Sequence, residues 1–409
     1  MKTRVVIGLV CAALVASACA GARAGAGASG TTAKGDLLLL DVGGSVLGTD
    51  AVSGETRFTD SGAIGLPDWS RLYSSEVTSG RTTLHTIDGH TGAPMSDAQI
   101  PGSFVPSVVS DDGSRVALVE PSAAAPLGEM PQGRASTQIA VADPTGTAEP
   151  KIYRLSGNYE PEAFSSSKKV LFILNYFPAL SPKGYQVTRL DLKTGDISPA
   201  FGPVKSPAPK MSGTRVMHVL SPDHATLYTM YTNQDPAYSG RWGEGEVAFV
   251  HTLSLEIGQA VCIDLPEAFG AGPAGAKTLT LSPDGSRLYA VDAAAGLISV
   301  IDTSKRRVVD TKHVSLGSVG DAVASAQAGP DGTVYVGVGA QVVTLDPDSL
   351  AIEHRWSVAG VVNGLAIGGG RLYVTVPDRV LTLDLSTGDQ VGSIAAPGVR
   401  GIWSVTPSA

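Results

Sequence analysis

Short apolar runs separated by turn formers set the pattern of this chain from residue 36 onward. Stretches such as Leu37-Leu38-Leu39-Leu40, Leu288-Tyr289-Ala290-Val291 and Ile298-Ser299-Val300-Ile301 are bounded by clusters of Gly, Pro, Asp and Ser. Apolar, β-branched and aromatic residues in short bounded runs predict strands joined by tight turns, and therefore an all-β protein.

The pattern also repeats. Its clearest copy starts at Leu281-Ser282-Pro283-Asp284-Gly285-Ser286-Arg287-Leu288-Tyr289, continues through residues 297–303 and ends with Arg307-Val308-Val309. Pro283 presets φ and Gly285 accepts positive φ, so the turn is specified locally. A turn followed by an apolar strand recurs at residues 67–73, 111–116, 166–171, 222–228, 330–335 and 369–373. A second signature, a strand that ends in a turn, centres on Asp50, Asp88, Asp143, Asp191, Ser254, Asp302, Asp346 and Asp384. Self-similarity at this period predicts a β-propeller of eight four-stranded blades, with seven as the alternative count if the weak repeats between 36 and 100 merge. The repeat containing Leu37 to Leu40 lacks an inner strand, whereas residues 399–406 read as an inner strand with nothing after it. Pairing Ile402 to Val405 with Leu37 to Leu40 would close the ring and remove a sheet edge.

Residues 281–309 resemble the YVTN-type propeller repeat, and the resemblance extends in degenerate form over residues 36–409. That family also covers many bacterial lipoproteins of unassigned function. The Asp-x-x-Thr-Gly turns at Asp191 and Asp384 look like the quinoprotein propeller repeat, but neither copy has the tryptophan that usually follows the glycine there.

The first residues change the picture from a bare propeller to an exported one. Lys2 and Arg4 lead an apolar stretch over residues 5–15, then Ala16-Ser17-Ala18-Cys19, which is an export signal too short to span a bilayer. Ser17-Ala18-Cys19 resembles a bacterial lipobox, which implies diacylation of Cys19 and a lipid anchor on the outer face of the cytoplasmic membrane. Ala16 and Ala18 also suit an ordinary signal peptidase, which would leave a secreted soluble protein. The expected division is a signal peptide over residues 1–18, an acylated cysteine and flexible linker over 19–35, and the propeller over 36–409, acting as a monomer. Cys262, in the run Ala260-Val261-Cys262-Ile263, reads as a buried small hydrophobe with no disulfide partner.

Charge is sparse at 17% of residues, and the net charge of -8 becomes -10 once Lys2 and Arg4 are removed. An acidic body of this kind argues against nucleic acid as a partner. The seven histidines show no metal-binding spacing, so neither a metal nor a cofactor is expected.

Candidate binding residues come from two places. Long connections at residues 121–136, 175–184 and 232–246 should gather on one face of the disk and bring Tyr176, Phe177, Tyr185, Tyr238, Arg241 and Trp242 to one sector. Function tends to sit on such loops, although they could equally fold over one another as a cap with the aromatics as a small core. Around the channel mouth, Arg215, His218, Asp321 and Arg400 should form a polar ring together with Glu160, Glu162, Lys277 and Asn363. Two functions follow. One is a binding or scaffold module for a protein, peptide or glycan on the loop-rich face. The other is an enzyme of the lactonase or quinoprotein-like type, which would need Glu160, Glu162, His218 and Asp321 to converge on a metal or cofactor.

Overall fold

A computed structural model describes residues 35–122, 129–202, 206–235, 247–270, 272–317 and 323–408. Every described residue belongs to one compact unit, residues 34–409. Cys19 lies outside the described residues.

Among the described residues the strands form eight four-stranded antiparallel sheets, seven of which follow the chain from an inner to an outer strand. The ring is an eight-bladed β-propeller. Blade 1 comprises residues 37–61 and the C-terminal strand Val399–Thr406; blades 2 to 5 span residues 64–101, 105–156, 158–199 and 214–264. Blades 6 to 8 span 277–313, 325–357 and 364–395. Closure occurs in blade 1, where Leu37 pairs with Thr406, Leu38 with Val405, Leu39 with Ser404 and Leu40 with Ile402. The weak repeats between 36 and 100 are two separate blades, which settles the count at eight.

The four consecutive leucines follow from this stacking. Successive side chains of a strand point to opposite faces, and both faces of a blade are covered by neighbours. Leu38 and Leu40 join Tyr373 and Val380 of blade 8, while Leu37 and Leu39 join Leu72 of blade 2. Leu171 and Ile173 likewise pack on blade 3, and Phe172 and Leu174 on blade 5. Apolar runs replace alternation because no broad face is left for water.

The two sequence signatures are the joints between blades. Tyrosines of the second strands reach across to the next blade: Tyr73 donates to the Gly113 carbonyl (3.3 Å), Tyr289 to that of Pro347 (3.2 Å) and Tyr373 to the Asp36 carboxylate (2.7 Å). The turn aspartates cap backbone N–H groups; Asp191 accepts from Lys193 (2.8 Å) and Thr194 (2.9 Å), and Asp88 from His90 (3.0 Å) and Thr91 (2.8 Å). Each carboxylate supplies acceptors that the reversing backbone needs, which is why aspartate recurs there.

Candidate functional site

A cavity of about 1130 Å³ lies against the innermost strands, and its wall comes from blades 1 to 5, with no lining residue from blades 6 to 8 among the described residues. Bulges in the innermost strands aim side chains into it. In Val105–Val109, Asn158–Phe164 and Val399–Thr406, the residues left without a cross-strand partner include Ser107, Glu162, Arg400 and Trp403, and all four line the cavity. One extra residue in a strand re-aims its side chain, and such bulges concentrate near functional sites.

The polar centre lies where blades 4 and 5 meet. The Glu162 side chain is buried (3% exposed), and its carboxylate stands 3.5 Å from the guanidinium of Arg215, whose side chain is 48% exposed. Burial pushes the Glu162 carboxyl up; Arg215 opposes that shift and Glu160 adds to it. Burial would strip the charge from Arg215, but Glu162 and its neighbours hold it protonated, above its ordinary value. His218, on the same inner strand, is crowded by protein yet open to the channel. That crowding, reinforced by Arg215, lowers its imidazole to about 4, so it is neutral at pH 7. Tyr176 donates a hydrogen bond to Glu160 (3.1 Å).

Behind this centre, aromatic rings fill the seam between the two blades. Tyr176 and Tyr185 lie 5.7 Å apart, Tyr185 and Tyr231 5.2 Å, and Tyr231 and Phe249 5.2 Å. All four are buried. The Tyr231 hydroxyl and His251 Nε2 are enclosed without a hydrogen-bond partner among the described residues, and burial lowers His251 to about 4.

These positions revise the expected loop groove. Tyr176 and Tyr185 lie on the paired strands Val170–Phe177 and Gly184–Asp191 and serve the core, so they present no open aromatic surface. Phe177 is half-buried beneath the Lys210 ammonium, 5.4 Å from its ring centre. Tyr238, Arg241, Trp242 and Asp321 lie outside the described residues. The connection of blade 3 folds onto that of blade 4: the Arg134 amide donates to the Ala179 carbonyl (2.9 Å) and its guanidinium to Asn158 Oδ1 (2.9 Å). At this seam the connections act as a cap.

The polar ring is only partly formed. Arg215, His218, Arg400, Glu160 and Glu162 line the cavity. Lys277 does not; it is fully buried inside blade 6, 3.0 Å from the equally buried Asp292. Pairing with an acid one strand away satisfies a charge that the inward-facing first residue of that strand could not bury alone. Among the described residues no group of three or more His, Cys, Asp and Glu side chains is placed to hold a metal ion; Asp321, the fourth member of the set that the enzymatic alternative needs, lies outside the described residues. Cys262 has its thiol pushed up to about 12 by burial and by Asp264, which removes nucleophilic character at neutral pH.

Two tryptophans complete the wall. Trp403 stacks on Trp69 at 5.4 Å between ring centres with 22° between planes, and remains 50% exposed. Trp69 occupies the turn position that Gly285 takes in the regular repeat: Pro67-Asp68-Trp69-Ser70 against Pro283-Asp284-Gly285-Ser286. Both residues have positive φ, 58° and 71°. A bulky side chain in that conformation is unfavourable by about 1–2 kcal/mol. Gly65 accommodates it, since a Cβ there would stand 2.5 Å from the Trp69 ring. His224 (φ 56°) occupies the same turn position in blade 5 and also lines the cavity. The signal was therefore present in the sequence as glycine replaced by a large residue in an otherwise intact turn.

The fold has solved relatives. The chain is similar to dihydro-heme d1 dehydrogenase NirN in complex with DHE, at TM-score 0.55 and 13% identity over 90% of this chain and 74% of that one. It is also similar to AztD from Citrobacter koseri, at TM-score 0.56 and 12% identity over 92% and 99%. At these identities the likeness establishes the propeller architecture alone. No protein-family model and no curated protein matches the sequence.

Proposed function

We propose that this chain is an exported propeller of the YVTN-repeat type, anchored through lipidated Cys19 to the outer face of the bacterial cytoplasmic membrane. Its role is to bind a ligand rather than to transform one. The observation that carries the binding role is the cavity, which exceeds the roughly 300–1,000 Å³ of ordinary ligand pockets and is walled by one side of the ring. A mix of apolar wall and a few placed polar groups is what such sites use for orientation. The reading thus moves the ligand from an open aromatic groove into the channel. Native mass spectrometry of the protein released from membranes in mild detergent tests it. A small-molecule adduct lost in the cavity-filling variant Ser107→Trp supports the binding role, and a ligand-free protein that binds nothing in its channel refutes it. Replacing Cys19 with alanine should move the protein from the membrane to the soluble fraction; unchanged membrane association would refute the anchor.

A second reading, a propeller enzyme, is favoured by one observation: Glu162 is a buried acid with a raised pKa beside a cationic group in a cavity, an arrangement common at catalytic sites. Conversion of a ligand by the native protein but not by Glu162→Gln would support that reading over simple binding.

A further inference from the structure

The geometry points to a specific ligand class for this cavity: a planar aromatic or polycyclic compound carrying an anionic group. The inference rests on the proposed binding role of the channel and adds the chemistry of its occupant.

What the cavity offers to a guest is a set of open guanidinium donors. Its acidic lining residues each have contacts of their own: Glu162 is 3% exposed beside Arg215, Glu160 accepts the Tyr176 hydroxyl, Asp111 shares the Lys168 ammonium at 3.5 Å with the nearer Asp112 at 2.8 Å, and Asp41 accepts the Gly44 amide at 3.3 Å. His218 is neutral at pH 7. Of the basic residues, Arg134 is spent on Asn158 and the Tyr159 carbonyl. Arg400 makes no hydrogen bond or ion pair among the described residues and is exposed, and Arg215 has only the loose 3.5 Å contact with Glu162. A guanidinium carries five donors in a planar fork suited to carboxylate, sulfonate or phosphate oxygens, so the donors of these two arginines are open to a guest.

The apolar part of the site is aromatic and sits three residues along the same strand. Arg400 and Trp403 are both bulge residues of Val399–Thr406, so one inner strand presents a cation and a half-exposed indole to one cavity. Trp69 backs that indole and holds its plane. Flat ligands stack on such a surface, and an anionic substituent then reaches the arginines. The unfavourable backbone of Trp69 agrees with this use, since a glycine there would suit the turn better but would leave Trp403 unsupported.

Three isosteric probes test the idea on the full-length protein by calorimetry and tryptophan fluorescence: 2-naphthoate, 2-naphthalenemethanol and 2-naphthylmethylammonium. The expected result is one naphthoate per chain, bound at least about tenfold more tightly than the alcohol or the amine. Arg400→Gln, at an exposed residue without partners, should remove most of that preference while leaving the alcohol unchanged. Trp403→Ala should weaken all three. Arg215→Gln should likewise lower naphthoate affinity and leave the alcohol unchanged. Equal or tighter binding of the amine would overturn the anionic class while leaving the channel a binding site. Probe binding that none of the three variants alters would place the site elsewhere and overturn the inference, and no binding by any probe would overturn it and count against the binding role as well.

Discussion

Blades 4 and 5 differ from blade 6 in how they treat the same repeat. Blade 6 contains the most regular copy, has glycine at its turn and buries one compensated ion pair, Lys277 with Asp292. None of its described residues lines the cavity. Blades 4 and 5 have Lys168 and His224 at the equivalent turn position, both at positive φ, and a bulged acid in Glu162. Among the described residues they also hold seven of the nine buried polar atoms that lack a hydrogen-bond partner, including Tyr231 Oη, His251 Nε2 and Gln234 Oε1. A scaffold that obeys local rules in one sector and departs from them in another concentrates its departures where a site needs them. The degenerate repeats carry the chemistry.

The comparison is most sharply tested by separating stability from binding. Lys277→Met should destabilise the fold by about 3–5 kcal/mol, because it leaves Asp292 charged and buried, and the double variant with Asp292→Leu should recover much of the loss. Chemical denaturation measures this, and naphthoate affinity should be unchanged in the folded variant. Arg215→Gln should do the reverse: Glu162 can take up a proton, so the folding cost stays near about 1–3 kcal/mol while the affinity falls. Equal effects of the two variants on binding would break the distinction.

A smaller effect concerns the turns themselves. His224→Gly should stabilise the protein by about 1 kcal/mol by relieving a left-handed imidazole-bearing residue. Gly285→Ala should cost a similar amount, about 1 kcal/mol, since its φ is 71° and a Cβ would meet Pro222 Cδ at 2.8 Å. Thermal melts of the pair would show opposite signs if the blade 5 turn is retained for the site rather than for the fold.

Acid unfolding should show both regions in succession. His218 and His251 are held near 4 in the fold, whereas an unfolded histidine titrates near 6.5. Between those values the unfolded chain binds more protons, so stability falls as pH drops from about 6.5 to about 4. The turn carboxylates act lower. Asp284 is held at about 2 by Ser282 and Ser286, and Asp50 at about 2 because Ser53, Arg57 and Val52 outweigh its burial. Their contribution is complete above about 4 and is lost as pH falls toward about 2. Denaturation midpoints measured across this range should show two descents, and His251→Leu should flatten only the first.

Much of the architecture was legible without coordinates. Blade number and the turn chemistry follow from contacts close in sequence, where Pro, Asp and Gly impose local dihedrals and a short apolar run specifies a doubly covered strand. The offset between an unpaired inner strand at residues 399–406 and a blade lacking one at residue 37 is likewise a property of the repeat order. The site was legible only in fragments. Arg215, His218 and Arg400 could be placed near the channel from their positions at the starts of inner strands, but Lys277 occupies an equivalent position and is buried. Strand position does not determine which way a first residue points; the bulge and the neighbouring acid do. Tyr176 and Tyr185 read as loop aromatics because strand ends are invisible when a hairpin keeps its apolar pattern past the turn.

The sequence by itself determined the blade and its multiplicity, because those depend on short-range backbone preference and on apolar surface that must be hidden between sheets. Only the tertiary structure decided that Trp69, Glu162, Arg215 and Trp403 share one cavity. They come from blades 2, 4, 5 and 1, and residues separated by hundreds of positions meet only when the ring has closed, with bulges aiming Glu162 and Trp403 into the shared space.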